Sequence, residues 1–179
     1  MQATGLRGKE HSFAEYAATA VRITHARTVL DVGCGPHSED EPYAPAVLAA
    51  LPKDALYVAV DMDSDAIENH RALIGNDPRM EYHVALFDRF AHERRGWKAD
   101  LLISRCFMCL SFSSGPSHEQ RVATAMSLGK YVLAHDTISP PPGLKHREWL
   151  NKFGDIIWDF NRPLSSGSGP ARIFLVRTR

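Results

Sequence analysis

The stretch from Thr28 to Pro36, TVLDVGCGP, constrains this chain more than any other. Its apolar residues carry one carboxylate, Asp31, and the run breaks at Gly33 and Gly35. Glycine reaches backbone angles closed to other residues, and without a Cβ atom it lets the main chain approach a bound molecule closely. The pattern therefore predicts a buried strand ending either in a tight turn or in a ligand-binding loop.

A second apolar run, from Leu56 to Val60, ends in Asp61. A carboxylate at the carboxyl edge of a strand can accept hydrogen bonds from two vicinal ribose hydroxyls. The pairing of Asp61 with the glycine stretch favours a ligand-binding loop over a plain turn. Together the two runs predict a nucleoside-shaped ligand.

The loop after Gly35 disfavours a pyrophosphate ligand. A dinucleotide-binding loop has a third glycine that opens a helix, but Ser38 stands at that position. The segment 36–42, PHSEDEP, is bounded by prolines and carries three carboxylates, which would repel phosphates. The sequence therefore disfavours nicotinamide dinucleotides and favours a nucleoside whose charged end is cationic or zwitterionic.

Two motifs now carry a resemblance to a known family. Residues 29–35, VLDVGCG, resemble the first motif of class I S-adenosylmethionine-dependent methyltransferases, and residues 58–61, VAVD, resemble the second. By this resemblance, Gly33 and Gly35 lie under the methionine and ribose of S-adenosylmethionine. Asp31 then faces the amino group of the cofactor, directly or through water.

The resemblance also implies roles for residues that follow the next strands. Asp61 holds the ribose hydroxyls, Met62 lies beside the adenine, and Asp88 bonds the adenine amino group. Ser104 falls at the same ligand-binding edge of the sheet. The residues at 36–37, Pro and His, depart from the family, in which a third glycine or a small residue is common there. This departure leaves the geometry near the methionine end open.

Apolar strand patterns alternate with helical patterns along the chain. Predicted strands follow the glycine stretch at 55–60, 80–86, 100–105, 130–134, 155–160 and 171–178. Predicted helices cover 12–23, 44–51, 64–74, a short segment to 95, 118–128 and the residues around Trp149. The alternation predicts a Rossmann-like, mostly parallel sheet of seven strands with helices on both faces. The last two strands would form the antiparallel C-terminal hairpin that the family adds.

The length and charge of the chain limit the number of domains and the partners that we expect. The chain of 179 residues suits one domain, 1–179, whose segment 1–27 we expect to cover the cofactor site with a helix. Basic and acidic residues number 21 each, so a broad basic surface for nucleic acid is not predicted. The sequence has no signal-peptide core and no run long enough to span a bilayer. We therefore expect a cytoplasmic protein without a membrane partner; its oligomeric state is left open.

Aromatic residues near the predicted site have two interpretations each. Ser12 followed by Glu15 reads as a capping box for the first helix, which carries Phe13 and Tyr16. These two side chains either touch cofactor or substrate or pack on the sheet. Trp149 either walls a substrate pocket or belongs to the core.

His135, at the end of the fifth strand, is the predicted general base. His118 and His146 are weaker candidates. Methyl transfer from a sulfonium is an in-line displacement that needs positioning more than covalent assistance. A base is required only if the acceptor loses its proton early, so a catalytic His135 would favour an oxygen acceptor.

The exit of the fourth strand, ISRCFMC at 103–109, carries no signature for a particular acceptor. It lacks the Asn/Asp-Pro-Pro-Tyr motif of enzymes that methylate planar amino groups and the aspartate of ribose-methylating cap enzymes. Arg105 at this exit either binds an anionic substrate group or forms a surface ion pair. We interpret Cys106 and Cys109 as small buried side chains, because one C-x-x-C pair lacks the ligands of a zinc site; no metal is predicted.

We therefore predict an S-adenosylmethionine-dependent methyltransferase acting on an oxygen or nitrogen of a small molecule or peptide. An RNA cap or tRNA methyltransferase is the alternative, and it requires four basic residues to cluster on the rim of the pocket: Arg94, Arg95, Lys145 and Arg147. A catalytically silent nucleotide-binding module is an alternative of another class.

Overall fold

The computed structural model describes residues 11–35, 42–105, 118–136, 145–161 and 172–179. Within these ranges the strands are β1 (Thr28–Val32), β2 (Leu56–Asp61), β3 (Met80–Val84), β4 (Ala99–Arg105), β5 (Gly129–Asp136), β6 (Gly154–Asn161) and β7 (Arg172–Thr178). The helices are α1 (Phe13–Thr24), α2 (Ala44–Ala50), α3 (Ser64–Ile74), α4 (Phe87–Glu93), α5 (His118–Leu128) and α6 (His146–Leu150). None of these helices combines the length and apolar content that crossing a bilayer requires.

The described strands form one sheet in the order β3-β2-β1-β4-β5-β7-β6. Strands β1 to β5 are parallel, and β7 lies antiparallel between β5 and β6. This arrangement confirms the predicted Rossmann-like sheet with its antiparallel C-terminal hairpin. The strand order reverses at β1, which has β2 on one side and β4 on the other. In open sheets of this kind, ligands bind beyond the carboxyl ends of the strands at such a reversal.

Helices cover both faces of the sheet, because parallel strands are apolar on both sides. One core cluster joins the sheet to α1, α2 and α3, and a second joins it to α4, α5 and α6. We call these the α1–α3 face and the α4–α6 face. Alternation along β1 sends Val29 to the α1–α3 face and Leu30 to the α4–α6 face.

The start of α1 confirms the predicted capping box. The Ser12 hydroxyl accepts a hydrogen bond from the Glu15 amide at 3.2 Å, and the Glu15 carboxylate accepts one from the Ser12 amide at 2.7 Å. Phe13 and Tyr16 are both buried, and the Tyr16 ring packs against Trp158 with centroids 6.1 Å apart. Trp149 is fully buried in the core of the α4–α6 face, which confirms its interpretation as a core residue.

The predicted end of β3 is wrong by two residues. Strand β3 ends at Val84; the Ala85 amide makes the last hydrogen bond to β2, to the Asp61 carbonyl at 2.8 Å, and the chain then turns into α4 at Phe87. Asp88 therefore lies in the first turn of α4 and not directly after a strand. Helix α3 spans Ser64–Ile74, as predicted, and its N-cap is Asp63, whose carboxylate accepts a hydrogen bond from the Asp65 amide at 2.9 Å.

Candidate functional site

The glycine turn after β1 contacts the end of β2 directly. Gly33 has a φ of 70°, and its amide donates to the Val60 carbonyl at 2.9 Å. The Gly35 amide donates to Asp61 Oδ2 at 3.0 Å. A Cβ atom at position 35 would lie 3.0 Å from that same oxygen, so a larger residue would displace the carboxylate. The turn thus requires glycine once for its backbone angle and once for close approach.

The Asp61 carboxylate is held in place from two sides. Besides the contact from Gly35, its Oδ1 accepts a hydrogen bond from the Asp63 amide at 3.0 Å. Asp61 is partly exposed, and each carboxylate oxygen has a further lone pair. The side chain is therefore oriented before any ligand arrives and can still accept hydrogen bonds from a pair of hydroxyls.

Exposed apolar side chains flank Asp61. Met62 follows it directly and is 57% exposed. Val84 pairs with Asp61 in the sheet and is also exposed, as is Leu86 beyond it. Asp88 is exposed in the first turn of α4. Exposed apolar side chains beside the carboxyl end of β2, with a carboxylate nearby in the sequence, are suited to bind a flat heterocycle.

Asp31 lies at the centre of a buried polar cluster on the α1–α3 face. Its carboxylate is fully buried and accepts hydrogen bonds from the Tyr43 hydroxyl at 2.6 Å and the Tyr57 hydroxyl at 2.5 Å. Burial raises the pKa of Asp31 to about 7, although both phenols oppose the shift. His70 Nε2 lies 3.8 Å from Asp31 Oδ2, and burial lowers the pKa of His70 to about 4, so its ring is neutral at pH 7.

The ends of β4 and β5 carry three buried polar residues. Ser104 lies opposite Val32 in the sheet, and its hydroxyl has no hydrogen-bond partner among the described residues. The Arg105 guanidinium lies 5.6 Å from the centre of the Phe13 ring. His135 is 2% exposed and stacks on the same phenylalanine with ring centroids 5.6 Å apart. The start of α1 therefore packs on the carboxyl ends of these strands.

A cavity of about 280 Å³ opens beside the glycine turn, between α2 and α3. Its described lining residues are Cys34, Gly35, Pro42, Tyr43, Ala44, Ala66, Asn69, His70, Leu73 and Arg105. Gly35 alone among the predicted site residues belongs to this lining; His135 does not. Burial raises the pKa of the Cys34 thiol, so this side chain remains a neutral group.

Sequence reasoning missed Tyr43, Tyr57 and His70 as members of the site. The signal for His70 was its position four residues after Ala66 and three after Ile67, which places all three on the buried stripe of α3. Tyr57 alternates with the apolar residues of β2 and so points to one face only. Neither pattern indicates that these side chains meet Asp31, because that contact joins distant parts of the chain.

The basic residues do not cluster on one rim. Arg94 and Arg95 follow α4, which packs near the β2 side of the sheet, and Arg94 pairs with Glu81 on β3. Lys145 and Arg147 begin α6, which packs on β6 at the opposite edge. The support that an RNA substrate would have drawn from a common basic rim is therefore lost.

Three of the predicted features lie outside the described residues: Cys106 with Cys109, and the side chains of His118 and His146.

Neither a protein-family model nor a curated protein matches the sequence. Solved structures match the fold. The O-methyltransferase TomG from Streptomyces achromogenes, in complex with S-adenosylmethionine, is 17% identical, with a TM-score of 0.63 over 93% of this chain and 80% of that one.

Two further structures resemble the chain to a similar degree. Magnesium protoporphyrin IX methyltransferase from Synechocystis PCC 6803, with bound S-adenosylmethionine, is 16% identical, with a TM-score of 0.59 over 93% of this chain and 80% of that one. A putative O-methyltransferase from Klebsiella pneumoniae is 14% identical, with a TM-score of 0.62 over 97% of this chain and 83% of that one. The chain therefore has the fold of class I S-adenosylmethionine-dependent methyltransferases.

Proposed function

We propose that this protein is an S-adenosylmethionine-dependent methyltransferase that transfers a methyl group to an oxygen or nitrogen of a small molecule or peptide. The observation that carries the proposal is the contact between the Gly35 amide and Asp61 Oδ2 at 3.0 Å. It joins a glycine turn to an oriented carboxylate at the strand-order reversal, where sheets of this type bind nucleosides. The neighbours solved with S-adenosylmethionine support the same cofactor class.

The residues at the carboxyl edge suit each part of this cofactor. Asp61 accepts hydrogen bonds from the ribose hydroxyls, since two backbone amides already hold its carboxylate. Met62 offers an exposed apolar surface to the adenine, and Asp88 offers a carboxylate to its amino group. Gly33 and Gly35 leave room for the main chain to lie against the ligand. Ser104 contributes a hydroxyl at the end of β4, close to the glycine turn through the pairing of β4 with β1.

When bound, S-adenosylmethionine supplies a methyl carbon on a cationic sulfur, so the protein has mainly to align the acceptor with that carbon. His135 is our candidate for the base that removes a proton from a hydroxyl acceptor. Its place beside Phe13 at the end of β5 gives it a fixed ring orientation. O-methyltransferases among the structural neighbours favour an oxygen acceptor.

Two features favour a small molecule or peptide over RNA. The formal net charge is zero, and the two pairs of basic residues lie at opposite sides of the sheet. RNA binding draws most of its affinity from contacts between clustered basic side chains and phosphates.

Calorimetric titration tests the proposal. The parent protein, Asp61→Asn and Asp65→Asn are each titrated with S-adenosylmethionine, S-adenosylhomocysteine and NAD. Asp65 is an exposed carboxylate in the first turn of α3, so its replacement controls for loss of charge near the site. We expect both sulfur nucleosides to bind the parent and the control, and Asp61→Asn to weaken binding by about 1–3 kcal/mol, because the amide replaces one carboxylate oxygen that would accept from the ribose hydroxyls and removes the charge.

Binding of NAD in preference to both sulfur nucleosides, or of no nucleoside at all, would contradict the proposal. Binding without methyl transfer to any member of a panel of phenols, carboxylic acids, amines and peptides would favour a silent nucleotide-binding module.

A further inference from the structure

Arg105, the last residue of β4, is a buried cation at the carboxyl edge of the sheet. The sequence allows two interpretations of it: a contact with an anionic group of the substrate, and an ion pair at the protein surface. The residue is 4% exposed, which excludes the surface ion pair. Its side chain also lines the cavity beside the glycine turn. A charged group at the wall of a cavity is one of the few polar groups that orient a ligand there.

The sheet places Arg105 between the turn that we propose to hold the methyl donor and the candidate base. Val32 on β1 pairs with Ser104 on β4, so Gly33 and Arg105 both follow that pair. Arg105 in turn pairs with His135 on β5. Neighbouring strands lie about 4.8 Å apart, so the ends of β1 and β5 are about 10 Å apart with the end of β4 between them. A small acceptor that reaches from the glycine turn to His135 therefore lies across Arg105.

Arg105 and His135 point to the same side of the sheet. They lie two residues after Ile103 and Leu133, which are buried on the α1–α3 face, and side chains two residues apart on a strand share a face. The guanidinium carbon and the imidazole centre each lie 5.6 Å from the centre of the Phe13 ring. Among the described residues, Arg105 lines the cavity and His135 does not. An acceptor that enters through the cavity therefore meets the guanidinium before the imidazole.

A guanidinium in this position selects an anionic acceptor. Arginine keeps its charge at all ordinary pH values, and its planar fork of N–H donors binds a carboxylate through two parallel hydrogen bonds. Burial strengthens such a contact, because little water screens the two charges. An acceptor with a cationic amine would be repelled at the same point. The charge thus narrows the acceptor from any small molecule or peptide to one that carries an anionic group.

We propose that Arg105 determines acceptor specificity and that the acceptor is a hydroxy acid, whose carboxylate Arg105 binds and whose hydroxyl oxygen receives the methyl group. The inference rests on the proposed function, because it takes a methyl donor at the glycine turn and His135 as the base. In the transfer, the bond between sulfur and the methyl carbon breaks, the bond between that carbon and the hydroxyl oxygen forms, and the hydroxyl proton passes to His135. The carboxylate is unchanged by the reaction and serves only to hold the acceptor.

Pairs of acceptors that differ in one charge test the inference. Salicylate with salicylamide, lactate with lactamide, and mandelate with mandelamide each keep the hydroxyl and replace the carboxylate by a neutral amide. Methyl transfer from S-adenosylmethionine is measured for the parent, Arg105→Gln, Arg105→Lys and Arg172→Gln. The quantity compared is the ratio of kcat/KM for the acid to kcat/KM for its amide. Both values come from one preparation of each protein, so a loss of folded protein cancels in the ratio.

Arg172 is the matched control for Arg105. It begins β7 opposite Asp136, so it lies at the same edge of the sheet, and its guanidinium is 2.6 Å from the Asp159 carboxylate. Replacing it removes the same charge from the same edge without removing the proposed contact. A preference for acids that came only from the overall positive charge of this edge would fall equally in Arg105→Gln and Arg172→Gln.

We expect the parent to prefer the acid in at least one pair, and Arg105→Gln to lower that preference about tenfold, the effect of one lost hydrogen bond to a charged group. Arg105→Lys keeps the charge without the fork and should retain part of the preference, and Arg172→Gln should retain all of it. The affinity for S-adenosylhomocysteine, measured by calorimetry, should be the same in all four proteins, because Arg105 contacts the acceptor.

Several results would overturn the inference and leave the proposed function standing: a parent that prefers the amides, an Arg105→Gln variant with the parental preference, or a methyl ester as the product. A loss of S-adenosylhomocysteine affinity in Arg105→Gln would also overturn it, as would a parent that binds the cofactor and methylates none of the pairs. If Arg105→Gln does not fold, the preference of the parent and its change in Arg105→Lys decide. Failure of the parent to bind S-adenosylmethionine or S-adenosylhomocysteine would instead overturn the proposed function.

Discussion

The two faces of the central sheet differ in what they bury. On the α4–α6 face, β1, β2 and β4 contribute Leu30, Val32, Val58, Val60 and Leu102. On the α1–α3 face, the same strands bury Asp31 and Tyr57 among their apolar neighbours, and α3 adds His70. One face therefore consists mostly of apolar packing, while the other carries a polar cluster next to a cavity.

We infer from this difference a functional division between the two faces. The α4–α6 face contributes mainly stability, and the α1–α3 face contributes ligand binding. Apolar burial contributes stability in proportion to the area removed from water. A buried carboxylate and an imidazole with no hydrogen-bond partner among the described residues reduce that contribution, so their presence beside the glycine turn is best explained by a ligand. The following predictions test this division, beginning with the largest expected effect.

A polar residue introduced into the apolar α4–α6 face should lower the free energy of unfolding far more than the polar residues of the α1–α3 face do. Leu102→Asn removes a fully buried leucine from β4 and leaves an amide without partners. We expect a loss of about 5 kcal/mol in the free energy of unfolding, the sum of the cavity and the unsatisfied amide. Denaturant titration measures it, with Ile23→Asn on the exposed side of α1 as the control. A loss no greater than that of the control would contradict the division.

The polar cluster should make stability depend on pH in two opposing ways. The pKa of Asp31 is raised from 3.8 to about 7 in the folded protein, so the folded state holds the extra proton and Asp31 lowers stability as the pH rises from about 4 to 7. The pKa of His70 is lowered from 6.5 to about 4, so the unfolded state holds the extra proton and His70 raises stability over about pH 4 to 6.5. The two slopes oppose each other in the parent protein.

Single substitutions should separate the two opposing pH dependences of stability that Asp31 and His70 cause. Relative to the parent, His70→Gln should lose stability with rising pH and Asp31→Asn should gain it, each by at most about 1.4 kcal/mol per pH unit. The free energy of unfolding, measured at half-unit intervals from pH 4 to 7.5, gives both slopes. Comparison with the parent removes the contributions of groups that titrate in the same way in all three proteins. If the free energy of unfolding changed with pH in the same way in the parent and both variants, the burial of Asp31 and His70 would be contradicted.

The smallest effect should come from one phenol of the cluster. Tyr57→Phe removes the hydroxyl that donates to Asp31 at 2.5 Å and should raise the pKa of Asp31 further, because that hydrogen bond favours the ionised form. We expect a stability loss of about 1–2 kcal/mol at pH 7.5. Tyr131→Phe, a partly buried tyrosine on the same face, is the control and should stay within about 0.5 kcal/mol of the parent. Indistinguishable losses in the two variants would mean that the phenol does not support Asp31.

Much of the fold was predictable from local patterns. The alternation of apolar strands and helices predicted the sheet, and the capping box at Ser12 predicted the start of α1. The end of β3 was predicted two residues late, because the apolar residues Ala85 and Leu86 continue past the strand into the turn before α4. The cofactor roles of the predicted site residues, including Met62 and Asp88, remain predictions.

The sequence by itself determined the class of sheet and the pairing of Gly35 with Asp61. Strand alternation, glycine turns and helix caps depend on residues close together in the sequence. The surroundings of Asp31 were decided by the tertiary structure alone. Its contacts come from α2, β2 and α3, which meet only when the chain has folded. The burial that raises the pKa of Asp31 and lowers that of His70 depends on the summed packing of all these elements, and no local pattern encodes that sum.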